Sequence, residues 1–205
     1  LLTNSMKFMA GEGSKHVEVL KHLEAKKYDN LLPSEADMQY LYICAMRKEG
    51  LNHPDNKYLL GLVEKRPALF TIYGKAMMSV ILARNGNEKL AKEHLESLKQ
   101  YMVYTDEMGR YFDTKRASYS WFDYRIPTEV AAIEAIKMVT PEDKKTVSEM
   151  QRWLLQSKRT QSWDTPINAV NAIYAFMQGQ TKESLTNYGA NMVLKLNGTE
   201  LKTKE

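Results

Sequence analysis

Four helical stretches of this chain are almost free of charge, and each pairs with a neighbouring stretch charged on all but one face. The pattern is plainest from Trp153 to Phe176. Val147, Met150 and Leu154 lie at i, i+3 and i+7 and form one apolar stripe on a helix whose other faces carry Glu149, Gln151, Arg152 and Lys158. After Thr160-Gln161-Ser162-Trp163, Asp164 or Thr165 can cap a second helix with Pro166 in its first turn. From Ile167 to Met177 that helix carries no charge, which predicts burial on most faces. A wet-sided helix followed by a dry one is the expected unit of a layered, all-helical ring or solenoid.

The same unit recurs. Ser14 to Lys27 reads as a wet helix with Val17, Leu20 and Leu23 inward, and Ser34 opens a dry one with no charge from Met38 to Met46. Asp55 to Arg66 is wet, keeping Tyr58, Leu59, Leu62 and Val63 together; Pro67 to Leu82 is dry, with Lys75 its single charge. Asn87 to Val103 is wet, with Leu90, Ala91, Leu95, Leu98 and Met102 on one face. The dry partner with Pro127 in its first turn stops before Thr140-Pro141, and Glu142 to Ser157 is wet again. The dry helices begin near residues 36, 68, 128 and 166, spaced by 32, 60 and 38 residues; removing the non-helical stretch 104–125 makes the spacing even. Such a period belongs to paired-helix repeats, whereas a four-helix bundle does not predict alternate dry and wet helices.

Two segments break the helical pattern. Asp106-Glu107-Met108-Gly109, between Tyr104 and Arg110-Tyr111-Phe112, predicts a small hairpin. Near the end, Met192, Leu194 and Leu196 alternate before Asn197-Gly198 and Thr199-Glu200-Leu201, which predicts a strand pair opening a β domain. The expected division is therefore 1–180 helical and 181–205 β. The chain starts at Leu1 without Met and shows no signal peptide, and is expected to be an excerpt of a longer protein.

Composition narrows function by exclusion. Apolar residues make up 43% and charged ones 26%, ordinary for a globular protein, and the net charge of +4 is spread without a basic block. Nothing asks for nucleic acid or an anionic membrane surface, and no apolar run reaches the length of a membrane span. The single Cys44 lies in a dry helix and reads as a small hydrophobe. His16, His22, His53 and His94 lack metal-ligand spacing, so no metal or cofactor is expected. Glu129 and Glu134 stand in a dry helix at a spacing that does not share one face. Gly11-Glu12-Gly13 lacks the preceding strand of a phosphate loop. The candidate recognition surface is aromatic: Tyr111, Phe112, Tyr119, Trp121, Phe122 and Tyr124 fall within fourteen residues. They can stack on a sugar, grip another domain, or cap the helices beneath them.

The order of GRYF (Gly109 to Phe112), SYSWFDYRIPTEVAAIEAI (Ser118 to Ile136) and QRWLLQSKRTQSWDTPINAVNAIYAF (Gln151 to Phe176) resembles the thioester-type helical domain of bacterial alpha-2-macroglobulin-like proteins. The resemblance implies a partial α/α toroid of about four inner and outer helix pairs, with a hairpin insertion and a β tail. It further implies a non-enzymatic scaffold in a protease-trapping molecule of host or envelope defence, placed in the periplasm or on an outer-membrane lipoprotein. The implied partners are the other domains of the same chain and the trapped proteases. The CxEQ motif of thioester-bearing members is missing, since Cys44-Ala45-Met46-Arg47 departs from it. A full ring in that family has about six helix pairs, against four here. Two rival readings keep the helical architecture: a toroid enzyme like terpene cyclases or prenyltransferases, whose DxDD motif and Asp, Cys and His zinc set are missing, and a carbohydrate- or peptide-binding solenoid using the aromatic insertion.

Overall fold

A computed structural model of the chain describes residues 2–65, 71–112, 125–160, 165–178, 194–196 and 199–201. These residues form eight helices and two antiparallel strand pairs. In chain order they are α1 (Leu2–Ala25), α2 (Glu35–Arg47), α3 (Pro54–Lys65), α4 (Ile72–Arg84), α5 (Glu88–Lys99), β1 (Met102–Thr105) and β2 (Gly109–Phe112). There follow α6 (Arg125–Val139), α7 (Lys144–Thr160), α8 (Pro166–Met177), β3 (Leu194–Leu196) and β4 (Thr199–Leu201). The fold is all-α with a short β insertion.

The even-numbered helices form an inner row in which α2 packs on α4, α4 on α6 and α6 on α8. The odd-numbered helices lie outside it: α1 on α2 and α3, α5 on α4 and α6, α7 on α6 and α8. Dryness follows from this placement. α4 sends Met78, Ile81 and Leu82 into one apolar cluster with α1, α2 and α3. It sends Ile72, Ala76 and Val80 into a second cluster with α5, α6, α7 and β2. A helix shared by two cores has little room for charge, and the cation within α4, Lys75, is buried. The outer helices bury one stripe only, as in α5 with Ala91, His94, Leu95 and Leu98.

Capping chemistry fixes where the inner helices start. Ser34 accepts the Asp37 backbone N–H while the Asp37 carboxylate takes the Ser34 N–H, a reciprocal box that opens α2. Thr71 caps α4 and Thr165 caps α8, each accepting the N–H three residues on.

Several boundaries differ from expectation. α1 begins twelve residues before Ser14, because Gly11 and Gly13 lower helix propensity without ending the helix. α4 starts at Ile72 rather than Pro67, and residues 66–70 lie outside the described ones. α5 ends at Lys99, so Met102 and Val103 belong to β1 instead of the helix face. The hairpin pairs Thr105 with Gly109 around a three-residue turn, with Gly109 at φ +85° where L side chains are strained. The strand pair near the end pairs Leu196 with Thr199; Asn197 and Gly198 lie outside the described residues.

Gly109 also sits where any Cβ would run into the backbone carbonyl of Glu149 on α7. Gly109→Ala is expected to destabilise the fold by roughly 2 kcal/mol or more, from the left-handed backbone and the displaced hairpin together. Gly11→Ala, in helical backbone with open space around it, is expected to stabilise by about 0.5–1 kcal/mol. Urea unfolding of the two variants checks the opposite signs.

Candidate functional site

Two carboxyl groups on α6 organise the polar interior. Their spacing of five residues turns them about 140° apart around the helix, so each faces a different neighbour. Glu134 is buried and receives the Tyr42 hydroxyl from α2, at 2.7 Å from Oε1 and 2.6 Å from Oε2. From the α8 side the Tyr174 hydroxyl and the Gln178 side chain also hydrogen-bond to it. Burial raises the Glu134 pKa above the usual carboxylate range, and Tyr42, the Arg84 charge, Tyr174 and Gln178 pull it only part of the way back. Burial and the facing carboxylate together push the Tyr42 phenol upward.

One turn further on, the Lys137 ammonium donates to the backbone carbonyls of Ala175 at 2.9 Å and Gln178 at 2.7 Å. Gln151 of α7 adds a third bond to the Ala175 carbonyl, at 3.1 Å. A cation on the last carbonyls of a helix answers both the unpaired acceptors and the dipole. Lys137 and Gln151 thus clamp the end of α8.

The rest of α8 departs from expectation. Only Ala172 and Ala175 are buried. Ile167 is 72% exposed and Val170 65%, and Ile173, Tyr174 and Met177 are exposed with them. The uncharged composition predicted burial on most faces, but no described element covers the outer one. α8 is held through Ala172, Ala175, the half-buried Phe176 and a polar clamp, with its other large apolar side chains turned outward.

The second carboxyl, Glu129, is fully buried; its Oε1 accepts the Phe112 backbone N–H at 2.7 Å, joining β2 to α6. Among the described residues its Oε2 has no hydrogen-bond partner. Burial raises its pKa well above the ordinary value, the Phe112 N–H opposing. The hairpin has two more anchors. Arg110 donates to the buried Glu149 at 2.8 Å, and Tyr111 stacks on Trp153 with centroids 5.8 Å apart. Glu149 was expected on the wet face of α7; the hairpin covers it instead.

Of the aromatic candidates, Phe112 is buried in the core beside α6 and Tyr111 packs on α7. Tyr119, Trp121, Phe122 and Tyr124 lie outside the described residues. Cys44 is buried with its thiol pKa raised by burial. His16 pairs with Asp37. His94, on a helix read as wet, is buried and pushed down to about 4 by burial and by Lys75. Among the described residues no group of three or more His, Cys, Asp or Glu could hold a metal ion, and no helix is long and apolar enough to cross a membrane.

No protein-family model, curated protein or solved structure matches the chain.

The Tyr42–Glu134 pairing joins residues 92 positions apart, which no local pattern reveals. The available signal was the charge itself. A carboxylate in an otherwise dry helix must find donors or stay protonated, and that applied to Glu129 and Glu134 alike.

Glu129→Ala is expected to cost about 2–4 kcal/mol, from the cavity and the stranded Phe112 N–H. Glu129→Gln keeps the acceptor and removes the titration. A carboxyl whose folded pKa is raised contributes stability below the unfolded value of 4.5 and loses it as pH rises toward the folded pKa. The Gln variant is therefore expected to gain on wild type by up to about 1.4 kcal/mol per unit above that pH. Chemical denaturation between pH 5 and about 8 measures the gap; a constant gap sinks the assignment.

Proposed function

We propose that this chain is a non-enzymatic helical scaffold of the kind found in bacterial alpha-2-macroglobulin-like proteins, contributing inter-domain contact to protease capture. The carrying observation is α8, whose buried face is two alanines and whose exposed face is Ile167, Val170, Ile173, Tyr174 and Met177. Apolar residues gathered on one exposed face are the mark of a contact surface. The inner and outer helix rows and the hairpin insertion are in keeping with the resemblance. The carboxyl groups support a scaffold over catalysis, because Glu134 ties α6 to α2 and α8, and Glu129 ties it to β2. In this reading the partners are neighbouring domains and cleaved proteases, in an extracytoplasmic setting.

The test uses the protein that carries this chain, incubated with serine, cysteine and metalloproteases. Cleavage is expected to leave protease retained in a high-mass complex on size-exclusion chromatography. Val170→Glu and Ile173→Glu, both at exposed positions, are expected to shift the stability of the chain by no more than about 0.5 kcal/mol while lowering the yield of complex. Release of every protease after cleavage removes the trapping role. Complex yield untouched by both variants removes α8 as the contact.

A further inference from the structure

The C-terminal ends of α4 and α6 and the first two turns of α5 line an open pocket of about 310 Å³, formed by Ala83, Arg84, Glu88, Lys92, Met138 and Val139. Ala83, Met138 and Val139 are half-buried and supply an apolar wall; Arg84 and Lys92 stand exposed at the rim. Among the described residues neither cation forms an ion pair, whereas Lys99 pairs with Asp143 at 3.1 Å and Arg110 with Glu149 at 2.8 Å. Glu88 opens α5, where the helix N-terminus offsets part of its charge. The rim keeps a net positive charge above a hydrocarbon floor.

We propose that this cavity binds a small monocarboxylate with a short aliphatic chain. The guanidinium of Arg84 matches a carboxylate through two parallel N–H bonds, and Lys92 adds a mobile point charge. Val139 and Ala83 give the chain a fixed wall, and Met138 an adaptable one. The volume sets the length: taking a water's share as roughly 30 Å³, the cavity holds about ten such volumes, the size of an eight-carbon acid. Arg84 also acts electrostatically on Glu134 and Tyr174, so an anion drawn to Arg84 competes with that interaction. The binding site stands on the cavity and the two cations at its rim and does not depend on the scaffold reading.

Titration of the full chain with butyrate, hexanoate, octanoate and 1-octanol, followed by amide chemical shifts, tests it. Octanoate is expected to bind saturably in the millimolar range or tighter, about −4 kcal/mol, with shifts centred on residues 83–92 and 138–139. Affinity is expected to rise by up to about fourfold for each methylene buried from butyrate to octanoate. Octanol is expected to bind at least about tenfold more weakly, as are Arg84→Gln and Lys92→Gln chains toward octanoate, with the melting temperature of the Lys92→Gln chain unchanged. Because Arg84 also acts on the Glu134 cluster, Lys92→Gln is the cleaner variant. Octanol binding as well as octanoate, no saturable shift in that range, shifts centred elsewhere, or undiminished binding by Lys92→Gln each overturns the site.

Discussion

A carboxyl group taken out of water must gather donors or keep its proton, and the inner row is built around one such group. Glu134 draws Tyr42 from α2 and Tyr174 and Gln178 from the end of α8 onto a single side chain of α6. Tyr42 itself packs against both apolar clusters. The bond therefore joins the half formed by α1 to α3 to the half formed by α5 to α8 at a point where apolar contact alone leaves the register open. Neutral hydrogen bonds contribute modestly to net stability, but leaving a buried partner unmatched costs more. The geometry is thus enforced by what happens when it is lost.

How much of this was legible in the sequence depends on the range over which each signal acts. Ser34, Thr165 and the stop before Pro141 are local signals, and the helices begin or end there. The hairpin was legible because a turn and its flanking strands fit within eleven residues, 102–112. The start of α1 was not, since the helix runs on through Gly11 and Gly13, two residues of low helix propensity. Glu149 was misplaced on a wet face, and the burial of His94 on a wet helix was not foreseen, for a related reason: charge alone cannot tell an exposed position from one that a distant segment covers. The Arg84–Lys92 rim was hidden altogether, because it depends on where α6 ends relative to α5.

α4 and α8 make the same point in opposite directions. α4 carries two charges, Lys75 within it and Arg84 at its end, and α8 none, yet α4 is buried along almost its whole length and α8 on two alanines only. The difference lies in what surrounds them. α4 has packed neighbours in both clusters, whereas α8 meets the described fold mainly through α6. Composition reports that a helix needs cover and says nothing about whether the cover is in the same fold. In α4 the Lys75 ammonium is accommodated by the Ser97 hydroxyl at 2.7 Å and the Tyr101 ring at 5.2 Å, the treatment a single buried cation requires.

The buried ionisable groups also oppose one another in their response to pH. His94, lowered from 6.5 to about 4, contributes stability above its unfolded value and loses it as pH falls toward 4. Glu129 and Glu134, raised from 4.5, contribute below that value and lose it as pH rises. Between 4.5 and 6.5 the two effects run against each other, each at no more than about 1.4 kcal/mol per proton per unit. Farther up, Lys75 and Lys137, both lowered from 10.5 by burial, regain stability as pH rises toward that value, against whatever the acids still lose. A fold with this many buried charges can have a flat pH profile without any of them being energetically neutral. The flatness is a difference between large terms, so removing one member of the set exposes the slope of the others.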